Sequence, residues 1–233
     1  MINLSIIILG GFLFFSVSIG GGLAWLVSKV FRNTYEGLAL LCGGFLVGLL
    51  VLDIIPTALQ MYHFSVLVIG LFIGWVLFLL LHNLFHSSKS KMPSLPLLAI
   101  GILLHTIPIS MTIGNLLGDS TFGATITTST ILHHLPEGFA FASAFISQGK
   151  KLWGLFLCFI GLSIFFSVFV WVGHHVNLTV KAESILMGVS IILIACTSIS
   201  EFILTNLRLV STKFFLLCLL TGYLLSNLFH LFL

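Results

Sequence analysis

The chain has 233 residues, 59% of them hydrophobic and only 6% charged, with a formal net charge of +3. Soluble domains carry about 25% charged residues, so an ordinary water-soluble fold is excluded. Nine scattered lysines and arginines with no basic patch exclude nucleic acid as a partner.

Apolar runs recur from end to end, each about 20 residues long and so able to cross a ~30 Å hydrocarbon core. Runs such as SVLVIGLFIGWVLFLLLHNLF are continuous. The strands of a membrane barrel instead alternate over segments of about ten residues. Helices satisfy their own backbone groups in lipid, so the expected fold class is an all-α polytopic membrane protein embedded in the bilayer. Helices are predicted at 4–28, 36–61, 64–86, 95–118, 121–147, 152–176, 183–206 and 213–233. The first run lacks a basic n-region and a clear cleavage site, and reads as a retained helix. The longest loop, HSSKSKMPS, is too short for a soluble domain, so residues 1–233 form a single transmembrane domain.

Basic residues orient this arrangement. Lys29 and Arg32, Lys89 and Lys91, Lys150 and Lys151, and Arg208 and Lys213 all fall in alternate loops; Lys181 alone lies opposite. Positive loops stay inside, which puts both termini outside a multi-pass protein of the cytoplasmic membrane.

Along the chain, polar groups are few. Asp53 lies toward the outer end of helix two. His82 and His86 share a helix face at i,i+4 at the inner end of helix three. Glu201 lies toward the inner end of helix seven; these four residues are pathway candidates. His174, His175 and Glu183 lie near the outer surface. Cys42, Cys158, Cys196 and Cys218 sit in apolar runs without CxxC spacing and read as small buried residues. Gly44 and Gly48, Gly70 and Gly74, and the cluster from Gly138 to Ala144 have the small-residue spacing of close helix packing.

The densest constellation is ILHHLPEG at 131–138, which aligns with LLHTIPIS at 103–110. His105 matches His133 and Pro108 matches Pro136, while Thr106 faces His134 and Ile109 faces Glu137. At 1.5 Å per residue, His105 and His133 lie roughly 15–18 Å into antiparallel helices, near the midplane. His133 and Glu137 are i,i+4, and His134 and Glu137 are i,i+3. Each proline removes a backbone donor and disturbs the turn before it. Ionisable groups inside a membrane mark function. Imidazoles with a carboxylate suit zinc and related divalent ions.

HHLPEG in helix five, with HTIP in helix four, resembles the ZIP (Zrt/Irt-like) metal transporters. LLVLDIIPTAL at 49–59 and SISEFIL at 198–204 are similar to that family's helix-two and helix-seven segments. The resemblance spans nearly the whole chain and implies a ZIP-like bundle of eight helices. It also implies transport of a divalent metal, zinc first and iron or manganese next, into the cytoplasm. The metal is cargo, with no cofactor and no enzymatic step. The implied ligands are His105, His133 or His134, and Glu137, and the implied assembly is a homodimer. Where the family has asparagine and glutamate in helix four, this chain has Thr106 and Ile109, and residues 152–176 contain no acid. One half of a two-metal centre is therefore stripped, and a single ion is expected. The alternatives are an intramembrane zinc-dependent hydrolase, which needs an open coordination position and a general base, and a metal-sensing relative that does not transport.

Overall fold

A computed structural model describes the backbone of residues 2–30, 35–86, 95–117, 123–176 and 178–232. Side chains are described for these residues except 2–4, 30, 35, 84–86, 116, 123–133, 229–230 and 232. Among the described residues the chain forms eight helical rods and no strand. They are α1 (Ile2–Val30), α2 (35–61), α3 (Phe64–His86), α4 (Leu95–Leu116), α5 (Gly123–Ser147), α6 (Leu152–His175), α7 (180–207) and α8 (Thr212–Phe232). Their bounds fall within a few residues of those read from the hydrophobic runs.

Among the described residues, six of these helices are long and apolar enough to cross a membrane: Ser5–Lys29, Glu36–Met61, Phe64–Asn83, Leu95–Asn115, Leu152–His175 and Val180–Leu207. In α8 the corresponding stretch, Thr212–Leu228, is shorter. The outward faces of α3 and α6 expose Phe72, Trp75 and Leu80, and Trp153, Ile164 and Trp171. Such a contiguous apolar surface is unfavourable in water and suits a lipid environment.

The rods end for local reasons. The chain turns extended at Tyr62 and again at Val176, each of whose N–H groups still bonds to the carbonyl four residues back. Gly149 takes a left-handed φ of 64°, and its N–H bonds to the Ile146 carbonyl at 2.8 Å, closing α5 before α6 begins. Thr179 caps α7 by accepting the Ala182 N–H at 3.3 Å. Short connections between such long rods make sequence neighbours antiparallel.

Packing follows an internal symmetry. α1 packs on α5 and α6, α2 on α8, α5 and α7, α3 on α7, and α4 on α6 and α7. Exchanging α1 with α6, α2 with α7, α3 with α8 and α4 with α5 reproduces these pairings. The bundle is therefore a three–two–three arrangement in which exchanged rods run in opposite directions, with α4 and α5 in the middle. Each main crossing brings two glycines to the contact: Gly20 and Gly138 for α1/α5, Gly114 and Gly173 for α4/α6, Gly44 and Gly222 for α2/α8, and Gly70 and Gly188 for α3/α7. A Cβ on Gly188 would stand 2.9 Å from the Cα of Gly70, closer than real side chains approach. These contacts bear out the close packing expected of Gly44, Gly70 and Gly138.

Two rods are not α-helical throughout. α2 passes through a π-helical segment at Leu50–Ile54, and α7 through one at Ser198–Leu204. These segments carry Asp53 and Glu201. A π turn is rare and recurs at functional sites.

Candidate metal centre

Helices α4 and α5 each carry a proline in mid-course, Pro108 and Pro136. Around Pro108, hydroxyls bond to backbone carbonyls. Thr106 Oγ1 donates to Ile102 O at 2.8 Å, Ser110 Oγ to Thr106 O at 2.7 Å, and Thr112 Oγ1 to Pro108 O at 2.9 Å. A helix that carries an internal proline stays satisfied at membrane depth through hydroxyls of this kind. The turns holding the polar residues are therefore supported by their own helix.

On those turns three ionisable side chains meet. His105 comes from α4, and His134 and Glu137 come from α5. None is more than 2% exposed. His134 Nδ1 lies 2.6 Å from Glu137 Oε2, and His105 Nε2 lies 3.4 Å from Glu137 Oε1. One carboxylate thus stands between two imidazoles. The i,i+3 spacing brings His134 onto Glu137, and the α4–α5 packing brings His105 from outside. Phe166 of α6 sets its ring edge-on to His134, with centroids 5.9 Å apart, and closes the far side. Phe166 had no signal in the sequence, because it is one of 23 phenylalanines.

The two distances describe different chemistry. Tetrahedral zinc with ligand bonds of 2.0–2.2 Å holds its donor atoms ~3.4 Å apart. The His105–Glu137 separation matches that spacing. The His134–Glu137 separation is a hydrogen bond, and two such acceptors approach so closely only with a proton between them. Among the described residues no group of three or more His, Cys, Asp or Glu side chains is set at metal-holding geometry. The donor set suits a divalent ion, and the hydrogen bond must open by somewhat under 1 Å for both partners to ligate it.

The remaining candidates divide. The side chains of His133 and His86 lie outside the described residues; both positions are helical, in α5 and α3. Asp53 is half-buried in the π segment of α2. His82 Nε2 lies 3.3 Å from Glu201 Oε1 between α3 and the π segment of α7, a pairing that their separate readings did not contain. Thr106 is fully buried with its hydroxyl turned to its own helix, and Ile109 packs against the apolar cluster of Ile6, Leu13, Ile113 and Phe166. Helix four thus adds apolar packing where helix five has its carboxylate. α5 is tied to α2 by Cys42 Sγ, which donates to Ala140 O at 3.3 Å, and α2 to α7 by Ser198 Oγ, which donates to Gly43 O at 3.0 Å.

No protein-family model matches the chain, and no curated protein matches it.

Proposed function

We propose that the protein is a ZIP-like transporter that moves a divalent metal cation, zinc first, across the cytoplasmic membrane into the cytoplasm. All eight rods span the membrane in this reading, and both termini face out. One observation carries it: two buried imidazoles converge on one buried carboxylate at mid-length of two helices, each with an internal proline, in an apolar bundle. Ionisable groups at that depth are costly and mark ion pathways. The three–two–three symmetry adds support, since transporters built from inverted repeats bind cargo near the midplane where the repeats meet. In this reading His105, His134 and Glu137 hold the ion, with His133 the further candidate. A hydrolase reading needs a general base besides the metal ligands. Glu137 is already engaged with both imidazoles.

Uptake of radiolabelled zinc into sealed proteoliposomes tests the function, and competition with manganese, iron and cadmium ranks the cargo. Metal binding without uptake would favour the sensor; turnover of a lipid or peptide would favour the hydrolase.

Stoichiometry follows from the ligands. Two close divalent ions repel strongly at low dielectric and need several anionic groups to offset that repulsion. Calorimetry on the purified protein should give one ion per chain at the central site. Two ions there would show that a carboxylate has been overlooked.

Protons should move with the metal. For His134 Nδ1 and Glu137 Oε2 themselves to ligate one ion, the proton between them must leave, and metal binding releases such protons. Binding should weaken as pH falls, and calorimetry in buffers of different ionisation enthalpy should count about one proton or more released per ion. Proton-independent binding would remove His134 Nδ1 from the ligand set.

Orientation has its own test. Cysteine placed at exposed Lys150 should be shielded from impermeant thiol reagents in intact cells, and cysteine at exposed Ser65 should react. The reverse pattern would invert the direction of transport.

A further inference from the structure

Close contacts of α1 with two rods fix what gathers at its far end. Gly138 meets Val17, and a Cβ on Gly21 would stand 3.6 Å from the Ala142 Cβ, so α1 and α5 run in the same direction. Gly10 meets Ser167 and Gly21 meets Phe159, so α6 runs back along α1. Eight residues on from Gly21 and from Ala142 come Lys29 and Lys150. Eight residues back from Phe159 comes Lys151. Both registers bring the same three lysines to one depth, where α1 ends and α5 turns into α6.

All three lysines are exposed. Lys29 Nζ lies 3.7 Å from the centroid of the Trp25 ring, which holds its charge at the edge of the apolar zone. Among the described residues none of the three is in an ion pair, and Glu36, in the first turn of α2, pairs with none of them. Beside the lysines, Trp25 and Leu26 of α1 and Leu152 and Trp153 of α6 are exposed as well. Lysine next to exposed tryptophan on an apolar rod marks the level of the lipid headgroups.

We infer that this end of α1, α5 and α6 is a binding surface for an anionic phospholipid, with its phosphate among Lys29, Lys150 and Lys151 and its acyl chains along Trp25, Leu26, Leu152 and Trp153. Lysine is a mobile point charge suited to a phosphate, and basic groups at this level attract anionic lipids. A free anion would use the lysines and leave the belt bare. The belt continues from the lysines into the apolar flanks of α1 and α6, so the partner that fits carries charge and chain together. The inference requires the chain to lie in a membrane; it uses neither the metal nor the direction of transport.

The test titrates the purified, delipidated full chain in detergent with dioleoylphosphatidylglycerol or dioleoylphosphatidylcholine and counts retained lipids by native mass spectrometry. The first phosphatidylglycerol should bind at least about tenfold more tightly than phosphatidylcholine, whose chains are the same. Each of Lys29→Gln, Lys150→Gln and Lys151→Gln should weaken it about fivefold, and the triple variant should treat both lipids alike. These side chains are exposed, so folding is retained. Phosphatidylglycerol should also raise the unfolding temperature of the unmodified chain and not that of the triple variant. Arg208→Gln combined with Lys213→Gln removes two charges from another exposed turn, and should leave the first binding event within twofold. An equal loss in that control would mean attraction by net charge alone. Equal affinity for the two lipids would mean adhesion of acyl chains alone. Displacement of the lipid by a hundredfold excess of inorganic phosphate would mean a site for free anions. Each of these outcomes would overturn the inference, and none would bear on zinc uptake.

Discussion

Replacing Glu137 by glutamine should reduce saturable zinc uptake by at least ~100-fold while leaving the bundle folded. Loss of a group that merely supports a metal ligand costs about 10–100-fold, and the proposed function makes Glu137 a ligand itself. The amide keeps the volume of the carboxylate, so packing against Gly138 and α6 is preserved. Its oxygen still accepts a hydrogen bond from His134 Nδ1, so no buried donor is stranded by the change. What disappears is the negative charge. Two neutral imidazoles and one carboxylate leave a bound divalent ion with a net charge of about +1. Without the carboxylate the same ion carries about +2 in a site that water cannot screen, and interaction energies there are several times those in solution. Uptake by the variant in proteoliposomes, read beside its thermal unfolding, separates chemistry from folding. Normal uptake at low zinc with an unchanged unfolding temperature would remove Glu137 from the transport site. His105→Gln should show a smaller loss, because its Nε2 sits 3.4 Å from the carboxylate and a second imidazole remains.

The elements of this mechanism differ in how far they could be read from residues alone. The rods were legible because each hydrophobic run is long and uninterrupted, and α3 matches its expected range of 64–86. His134 and Glu137 were legible as neighbours because i,i+3 spacing is a local property of a helix. That His105 joins them was an inference from matched depth, and it holds because α4 and α5 pack as antiparallel neighbours. The glycines announced close crossings without announcing partners: nothing near Gly20 in sequence points to Gly138, because contact between distant rods is decided by the whole bundle. The π segments were invisible. An extra residue in a turn leaves hydrophobic periodicity almost unchanged, and neither LVLDI nor SISEFIL contains a residue that demands it. The contact of His82 with Glu201 was hidden for the same reason as the glycine pairs. Each residue looked like a polar group near a helix end, and only the packing of α3 on α7 joins them.

The crossing of α1 with α5 supplies the largest expected effect on stability. A Cβ on Gly138 would fall 2.6 Å from the Cα of Val17, and one on Gly20 would fall 2.8 Å from the backbone N of Phe139. Both obstacles are backbone atoms, which cannot rotate away as a side chain can. Gly138→Leu must therefore push α1 off α5 along the contact that also buries Val17 and Phe139. Overpacking in a well-filled core costs about 1–3 kcal/mol even where side chains can adjust. The penalty here falls at or above the top of that range. For a chain of this length it lowers the unfolding temperature by roughly 5–10 °C or prevents folded protein from accumulating. Gly11→Leu is the matched control on α1. Its Cβ meets nothing within 4 Å and it faces outward, so the change should not lower stability; replacing a helix-interior glycine stabilises by about 0.5–1 kcal/mol. Thermal unfolding of the two variants in the same detergent decides the matter. Equal unfolding temperatures would mean that α1 and α5 do not cross at Gly20 and Gly138. A drop confined to Gly138→Leu would establish that the helix carrying His134 and Glu137 is held in place by the absence of a single side chain.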